Sequence, residues 1–294
     1  VIHMSSFKDL KNNRMNNLQS LTKQVEKLAE KPSYEDERIW KCERDKTGNG
    51  YAVVRFLPAP TNEDVPWVRL WSHGFQGPGG WYIENSLTTP RSDAPSGTDD
   101  PVSKANTTLW NSGIESDKNI ARDRKRKLSY YSNILVLEDS TNAQNEGKVF
   151  LFRYGKKIFE KIESVMNPEF KDEEPMNPFD FWSGANFKLK IRQVEGYANY
   201  DKSEFASPSP LFDGDDAKLE DVWKQQHSLQ GLLAPENFKS YQELEARFNT
   251  VTASGTGSDY NETIEESSAE PVASDATEST SEDTLEYFKK LAEQ

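Results

Sequence analysis

Six short runs rich in β-branched and aromatic residues follow one another between Tyr51 and Val194, and they constrain the fold of this chain more than any other feature. The residues between them include many Gly, Pro and Asn, which favour turns. The runs are YAVVRFLP, WVRLW, WYIEN, NILVL, VFLFRYG and NFKLKIRQV. Short strands joined by such turns are typical of a strongly curved antiparallel sheet or a small barrel. We therefore predict a mainly β fold.

Three segments have apolar residues at helical spacing, and we expect these helices to flank the sheet. The strongest pattern is in KKIFEKIESVM, and weaker ones occur in KLEDVWKQQHSL and SYQELEARF. Residues 84–120 show no sustained period and contain three prolines near a Gly-Ser-Asp cluster. We predict a long loop or a loop-rich subdomain there, which in a compact protein is usually functional or mobile.

The formal net charge of −13 is concentrated at the C-terminal end. Residues 251–294 contain eleven acidic residues and two lysines, and few large apolar side chains. Such a segment cannot bury enough surface to offset the entropy of ordering, so we predict a disordered acidic tail. Its last stretch is an exception, because Leu285, Phe288 and Leu291 could form one stripe of a short helix in a partner's groove.

Residues 1–31 predict a helical N-terminal arm that ends before Pro32. Its apolar positions are spaced by four and three residues, but the stripe is too narrow for a helix that is stable alone. We therefore expect the arm to dock on another protein surface. The folded core is expected over 32–250, with a subdomain at 66–120.

Several classes of protein are disfavoured by the composition. The single cysteine, Cys42, excludes an internal disulfide and a multi-cysteine metal site. No apolar stretch approaches the roughly 20 residues that span a bilayer, so we expect no membrane partner. No Walker motif, carboxylate triad for metals or nucleophile–base pair is evident, and we predict that the protein is not an enzyme.

The densest positive cluster is RDRKRK, where five of the six residues 122–127 are cations. Such a run repels itself and persists only where water or a polyanion compensates its charge. A solvated loop fits the charge alone equally well. Tyr130 and Tyr131 follow closely, however, and bases stack on aromatic faces for roughly 1–3 kcal/mol each. Cations and rings together indicate a nucleic-acid strand as the partner.

The same combination recurs in two later segments. In VFLFRYGKK, strand alternation places Arg153 on the side of the strand away from the aromatic residues. Lys156 and Lys157 follow at the turn into a helix. In FKLKIRQVEGYANY it separates three cations from three apolar residues, and Tyr197 and Tyr200 come after them. We expect the apolar halves of these strands to be core and the cations and tyrosines to form a shared groove.

Long motifs in a fixed order extend from Gly48 to Phe248: GNGYAVVRFLP, SHGFQGPGGWYIE, KRKLSYYSNILV, NEGKVFLFRYGKKI, GANFKLKIRQVEGYANYD and SYQELEARF. They resemble the family of single-stranded DNA-binding proteins of T-even-type tailed bacteriophages. The resemblance implies an oligonucleotide-binding (OB) fold barrel with an attached zinc-binding subdomain. It also implies an N-terminal segment for cooperative self-association and an acidic C-terminal segment that recruits replication proteins.

The resemblance also implies positions for DNA contact, and local charge adds further cations. The family's contact positions correspond here to Arg55, Trp110, Lys125, Arg126, Tyr130, Tyr131, Arg153, Tyr197 and Tyr200. The cations added from local charge are Arg124, Lys127, Lys156 and Lys157. For self-association the candidates are Lys8, Lys11 and Arg14, which are dispersed along the arm, whereas the family has a tight basic motif.

The metal site is the largest departure from the family, which binds zinc through one histidine and three cysteines. Only the histidine, His73, is kept. Ser86 stands at the first cysteine position, and Asp100 and Ser103 of DPVS stand at the other two. One imidazole with hydroxyls and a carboxylate is a poor tetrahedral set, so we predict no zinc cofactor and a hydrogen-bonded packing role for His73. We expect apolar contacts to support the subdomain instead, from Trp67, Trp71, Trp81 and Tyr82.

The resemblance implies cooperative binding of single-stranded DNA without sequence specificity, during phage DNA replication, recombination and repair. The expected partners are single-stranded DNA, further copies of the protein, and replication and recombination proteins at the acidic tail. The expected location is the cytoplasm of an infected bacterial host cell. A single-stranded RNA-binding protein remains an alternative, because stacking grooves tolerate both sugars. An enzyme that processes nucleic acid is a weaker alternative.

Overall fold

The computed structural model describes residues 36–253. The predicted arm at 1–31 and nearly all of the predicted acidic tail lie outside these residues. The chain divides into two compact units, 1–39 and 40–294, and we describe the second unit.

In the described part of the chain, nine strands form one sheet. They are β1 (Ile39–Trp40), β2 (Gly50–Phe56), β3 (Val68–Gly77), β4 (Gly80–Asn85), β5 (Lys127–Asp139), β6 (Val149–Tyr154), β7 (Phe187–Val194), β8 (Tyr197–Asn199) and β9 (Glu204–Phe205). The order is β1-β6-β5-β2-β7-β8, while β3 pairs with β5 and β4, and β9 pairs with β7. Each of the six predicted runs forms a strand, and the prediction of a mainly β protein is confirmed.

Strand β5 connects two parts of the sheet. Its C-terminal half pairs with β2, in the register Phe56 to Ile134, and its N-terminal half pairs with β3 along the same edge, in the register Val68 to Tyr131. Strand β6 pairs with β5 along the opposite edge. The β3–β4 hairpin is therefore held to the rest of the sheet by the first residues of β5.

Five α-helices flank the sheet in the described residues. They are α1 (Pro101–Asn111), α2 (Glu115–Asp123), α3 (Lys156–Met166), α4 (Asp216–Lys224) and α5 (Tyr241–Thr252). The three helices predicted from apolar spacing are confirmed as α3, α4 and α5. Helix α3 buries Ile158 and Ile162, and α5 begins with a capping box in which Ser240 and Glu243 exchange hydrogen bonds.

Of the predicted long loop or loop-rich subdomain at 84–120, a loop throughout is wrong, because α1 and most of α2 lie there, while the subdomain stays a prediction. Helix α1 begins after Asp100, whose side chain accepts hydrogen bonds from the backbone N–H groups of Val102 and Ser103. Pro101 fits the first helical position, where no N–H group is needed. Its buried face includes Val102, Ser103 and Asn106, which are mostly polar. A helix with so few buried apolar residues gives no sustained hydrophobic period.

Three large groups of buried apolar residues form most of the core of the described part of the chain, and a small one surrounds Ala121 of α2. The largest lies against the sheet and α3 and is rich in aromatic rings, with Phe56 in contact with five others. A second contains residues of α4, and a third packs the β3–β4 hairpin against α1 and α5. None of the helices within residues 36–253 is long and apolar enough to cross a membrane.

Candidate nucleic-acid interface

The registers of β4, β3, β5 and β6 place a set of side chains on one side of the sheet, because directly opposed residues share a face. We call this set the basic face; it comprises Trp81, Ile83 and Asn85 of β4, Ser72, Gly74 and Gln76 of β3, Lys127, Ser129 and Tyr131 of β5, and Arg153 of β6. Val68 and Leu70 of β3 lie on the same side, but like Ser129 and Tyr131 they are buried. The alternate residues of the hairpin, such as Phe75 and Tyr82, point to the other side and are buried in the third core group.

Lys127 and Arg153 are the two cations of the basic face. Arg153 is exposed, lies opposite Tyr131 and donates a hydrogen bond from Nε to Ser129 Oγ at 3.0 Å. Burial, and then the charge of Arg153, lower the pKa of Lys127. Among the described residues neither cation forms an ion pair with a carboxylate. A phosphate between them would relieve their repulsion and supply the missing anion.

The adjacent tyrosines of β5 lie on opposite sides of the sheet. Tyr131 is on the basic face and is 7% exposed. Tyr130 faces the largest core group, where its ring stacks on Phe159, with centroids 4.0 Å apart, and on Tyr154, with centroids 5.7 Å apart. The sequence predicts a stacking role on DNA for both tyrosines, but in this structure both are buried, and Tyr130 packs against protein rings in the core.

The basic run is anchored by its alternate arginines, whose guanidinium groups lie over aromatic rings. The pairs are Arg122 over Trp110 at 5.4 Å, Arg124 over Phe75 and Phe248 at 5.4 and 5.5 Å, and Arg126 over Trp71 at 4.2 Å. Arg126 also donates a hydrogen bond to Thr88 Oγ1. Burial lowers the pKa of Arg124. Cation–π contacts therefore compensate part of the charge that we had assigned to water or a polyanion.

Arg55 is fully buried, although its family position implies a DNA contact. Its Nη2 donates hydrogen bonds to the carbonyl oxygens of Asp180, Phe181 and Ser209, and its Nη1 donates to Asn186 Oδ1. The expectation of a surface contact is not met in this structure, because the guanidinium fork is matched by oxygens of the protein itself. Burial lowers the pKa of Arg55, against the opposing effect of the Asp180 charge.

The remaining predicted contact residues lie at separate places. Trp110 is partly buried on α1, Lys125 is partly buried just before β5, and Lys156 and Lys157 occupy the first turn of α3. Tyr197 is 41% exposed on β8, and Tyr200 packs against the largest core group. In the sheet order, β7 and β2 lie between β8 and β5. The sheet registers therefore do not bring Tyr197 onto the basic face.

Residues 48–252 match the family model described as gp32 DNA binding protein like. The chain belongs to this family. It is 38% identical to the single-stranded DNA-binding protein of Enterobacteria phage T2 over 236 residues, which cover 79% of this chain and 76% of that protein. It is 38% identical over 221 residues to the protein of the same name from Enterobacteria phage T4, with 74% and 71% covered.

The four positions that correspond to zinc ligands of the gp32-like family lie close together around a buried carboxylate. Asp100 is 2% exposed, and one of its oxygens lies 3.2 Å from Nε2 of His73, a close contact without hydrogen-bond alignment. The other donors to the carboxylate are Ser86 Oγ and the backbone N–H groups of Leu87, Val102 and Ser103, at 3.0–3.1 Å.

This network also reaches the basic run, because His73 Nδ1 lies 2.9 Å from the carbonyl oxygen of Arg124. Asn106 Nδ2 donates to the same oxygen at 3.2 Å. The donor set does not fit a tetrahedral zinc site: both oxygens of Asp100 are engaged by N–H and O–H donors, and the other two positions are neutral hydroxyls. Within residues 36–253 no group of three or more His, Cys, Asp or Glu side chains is placed to bind a metal ion.

The aromatic residues predicted to support the subdomain differ in their contacts. Tyr82 fits the prediction, since it is fully buried and stacks on Phe75 with centroids 5.1 Å apart. Trp67 packs instead against Phe159 and Phe179 of the largest core group. Trp81 contradicts the prediction: it is 47% exposed, because it alternates with Tyr82 along β4 and points to the basic face.

Proposed function

We propose that this gp32-like protein binds single-stranded DNA through the basic face, without sequence specificity. The observation that carries this proposal is the pair of neighbouring cations, Lys127 and Arg153, which has no carboxylate partner among the described residues. Family membership supports the same partner, because the relatives from phages T2 and T4 are named single-stranded DNA-binding proteins.

The proposed binding is sequence-independent because its polar contacts go to phosphates. Lys127 and Arg153 bind phosphate oxygens, and Ser129 orients the guanidinium of Arg153 through the hydrogen bond at Nε. Tyr131 lies on the same side of the sheet but is only 7% exposed, and we propose that it supports the strand rather than stacking on a base. In keeping with the family resemblance, we propose that the antiparallel sheet is an oligonucleotide-binding barrel.

We further propose a role in phage DNA replication, recombination and repair, in the cytoplasm of an infected bacterial cell and without enzymatic activity. Copies of the protein coat unwound DNA cooperatively, with residues 1–31 and the cations Lys8, Lys11 and Arg14 forming the contact between neighbours. Residues 251–294 recruit replication and recombination proteins. The apolar stripe of the first segment and the acidic charge of the second support these roles.

We also propose that the subdomain folds without zinc. In place of the metal, the carboxylate of Asp100 joins the segments that contain Ser86, Leu87 and His73 to the start of α1. Metal analysis of protein purified without chelators tests this directly. We expect no bound zinc and no change in thermal midpoint on adding EDTA, and one equivalent of zinc per chain contradicts the proposal.

The salt dependence of oligo-dT binding tests the proposed function in the double variant Lys127→Ala/Arg153→Ala. We expect the affinity to fall at least about tenfold, and the slope of log K against log salt to become shallower by about 1.4, because each phosphate contact contributes about 0.7. A matched control is Lys218→Ala/Lys224→Ala on α4, which removes two cations that already pair with Asp215 and Glu220.

An unchanged slope in the Lys127→Ala/Arg153→Ala variant, with the control also unchanged, contradicts the proposed interface. The same titration with oligo-U tests the RNA alternative. We expect oligo-dT to compete better than oligo-U for the wild-type protein, and the opposite order favours an RNA-binding protein.

A further inference from the structure

The basic face continues from Lys127 across β3 to exposed apolar side chains of the β3–β4 hairpin. Trp81 is 47% exposed and Ile83 is 61% exposed. Their partners on β3 are Gln76 and Gly74. At Gly74 a Cβ atom would meet no other atom within 4 Å, so the space above the strand is open. The hairpin therefore presents an apolar platform on the basic face with open space at its centre.

The charges around this platform are arranged for an anionic partner. Glu84 follows Ile83 but points to the other side of β4, where its carboxylate pairs with Lys239 and Arg247. None of the residues that make up the basic face is Asp or Glu, in a chain whose net charge is −13. The platform is thus continuous with the two cations, because no acidic residue stands between them among the residues of the basic face.

The platform is also within reach of a strand bound at those cations. Ser72 pairs with Lys127, and Gln76 pairs with Trp81. The distance along β3 between these two pairs is four residues, or about 13 Å at the usual rise of a strand. An extended oligonucleotide with a phosphate at Lys127 covers this distance within a few nucleotides.

We infer that Trp81 and Ile83 form a second part of the single-stranded DNA site, on which bases stack as the strand leaves Lys127 and Arg153. The inference rests on the proposed function and adds the residues that bind bases. Continuity with the cations and the absence of carboxylates from this face favour DNA as the occupant over a second protein. The indole of Trp81 is a stacking surface for any base, and Ile83 supplies an apolar contact beside it.

Oligo-dT of increasing length, each short enough to bind one protein, tests the inference with Trp81→Ala. Since a stacked base contributes about 1–3 kcal/mol, we expect the variant to bind the longer oligonucleotides at least about fivefold more weakly than the wild type. Oligonucleotides too short to reach Trp81 from Lys127, of about two nucleotides, should bind equally well. Trp81→Phe should keep most of the affinity, and Trp182→Ala, which removes another exposed indole, should show the wild-type length dependence.

If the affinity of Trp81→Ala for oligo-dT changes with oligonucleotide length as that of the wild type does, the inference is overturned. The Lys127→Ala/Arg153→Ala variant separately tests the proposed function. If Trp81→Ala lowers the thermal midpoint and weakens binding at every length, Ile83→Gln decides instead, because this side chain is the more exposed of the two. A selective loss of affinity for longer oligonucleotides in Ile83→Gln supports the platform, and its absence overturns it.

Discussion

At the scale of the residue, Asp100 shows how one carboxylate can organise a subdomain. Burial by itself would raise its pKa, but the contact with His73 and the hydrogen bonds from the N–H groups of Ser103 and Leu87 outweigh burial and lower the pKa below its usual value of 3.8. A lowered pKa means that the ionised form is bound more tightly in the folded protein than in the unfolded chain. Asp100 therefore stabilises the fold as an anion.

The pH dependence of stability follows with a definite sign. The contribution of Asp100 is fully present above about pH 4, the usual range of an aspartate, and is lost as the pH falls through the lowered pKa. We expect Asp100→Asn to lower the free energy of unfolding at pH 7 by about 1.5–3 kcal/mol, the range for hydrogen bonds to charged groups. Urea unfolding between pH 2.5 and 7 measures both effects.

The exposed neighbour Asp99 provides a matched control, since Asp99→Asn makes the same chemical change outside the network. The difference in stability between the wild type and Asp100→Asn should shrink at the acid end of the range. A difference that stays constant over the whole pH range contradicts a stabilising role for the ionised carboxylate.

Single residues also show the limit of what the sequence could predict about the site. Strand alternation predicts that Tyr130 and Tyr131 point to opposite sides of the sheet. It also predicts that Arg153 points to the other side of its strand from the aromatic residues. It does not predict which tyrosine enters the core, because that depends on Phe159 of α3 covering one side of the sheet. The burial of Arg55 was equally hidden, since its oxygen partners come from loop residues distant in sequence.

At the scale of the element, the β3–β4 hairpin is held by its turn as well as by β5. Gly79 donates a backbone hydrogen bond to the carbonyl oxygen of Val251 at the end of α5. A Cβ atom at Gly79 would lie 2.1 Å from the carbonyl oxygen of Thr250, which is far inside contact distance. The glycine therefore permits the turn and α5 to approach each other closely.

We expect Gly79→Ala to lower the free energy of unfolding by about 1–3 kcal/mol, because the turn must move away from α5. Thermal or urea unfolding measures the change. Gly74→Ala is the matched control, since the same methyl group at that position meets open space and should leave stability within about 0.5 kcal/mol of the wild type. Equal stability of the two variants shows that the hairpin does not depend on this contact.

Elements differ in how well the sequence predicted them, for physical reasons. Strands β2 to β7 and helices α3 to α5 bury large apolar side chains at regular spacing, which is the signal that sequence analysis measures. Helices α1 and α2 bury little apolar surface, and α1 depends on its cap and on the hydrogen bonds of Asp100, Asn106 and Arg124. Tertiary contacts of this kind leave no periodic pattern in the sequence.

At the scale of the whole molecule, the charge is divided between distant segments. The acidic residues of 251–294 contribute most of the net charge, whereas the basic face joins Lys127 and Arg153 from two neighbouring strands. The sequence predicted this division, but it did not predict that alternate arginines of the basic run would pack on aromatic rings. The surface that we propose for DNA therefore carries fewer cations than the basic run suggested, and it extends further toward β4.

Photochemical cross-linking of oligo-dT to the wild-type protein, with the cross-linked peptides identified by mass spectrometry, tests the central claim most directly. If single-stranded DNA lies along the basic face, cross-links should form at Trp81 and within residues 127–131 and should disappear in Lys127→Ala/Arg153→Ala. Cross-links confined to Tyr197 and Tyr200, with none on the basic face, would contradict the claim.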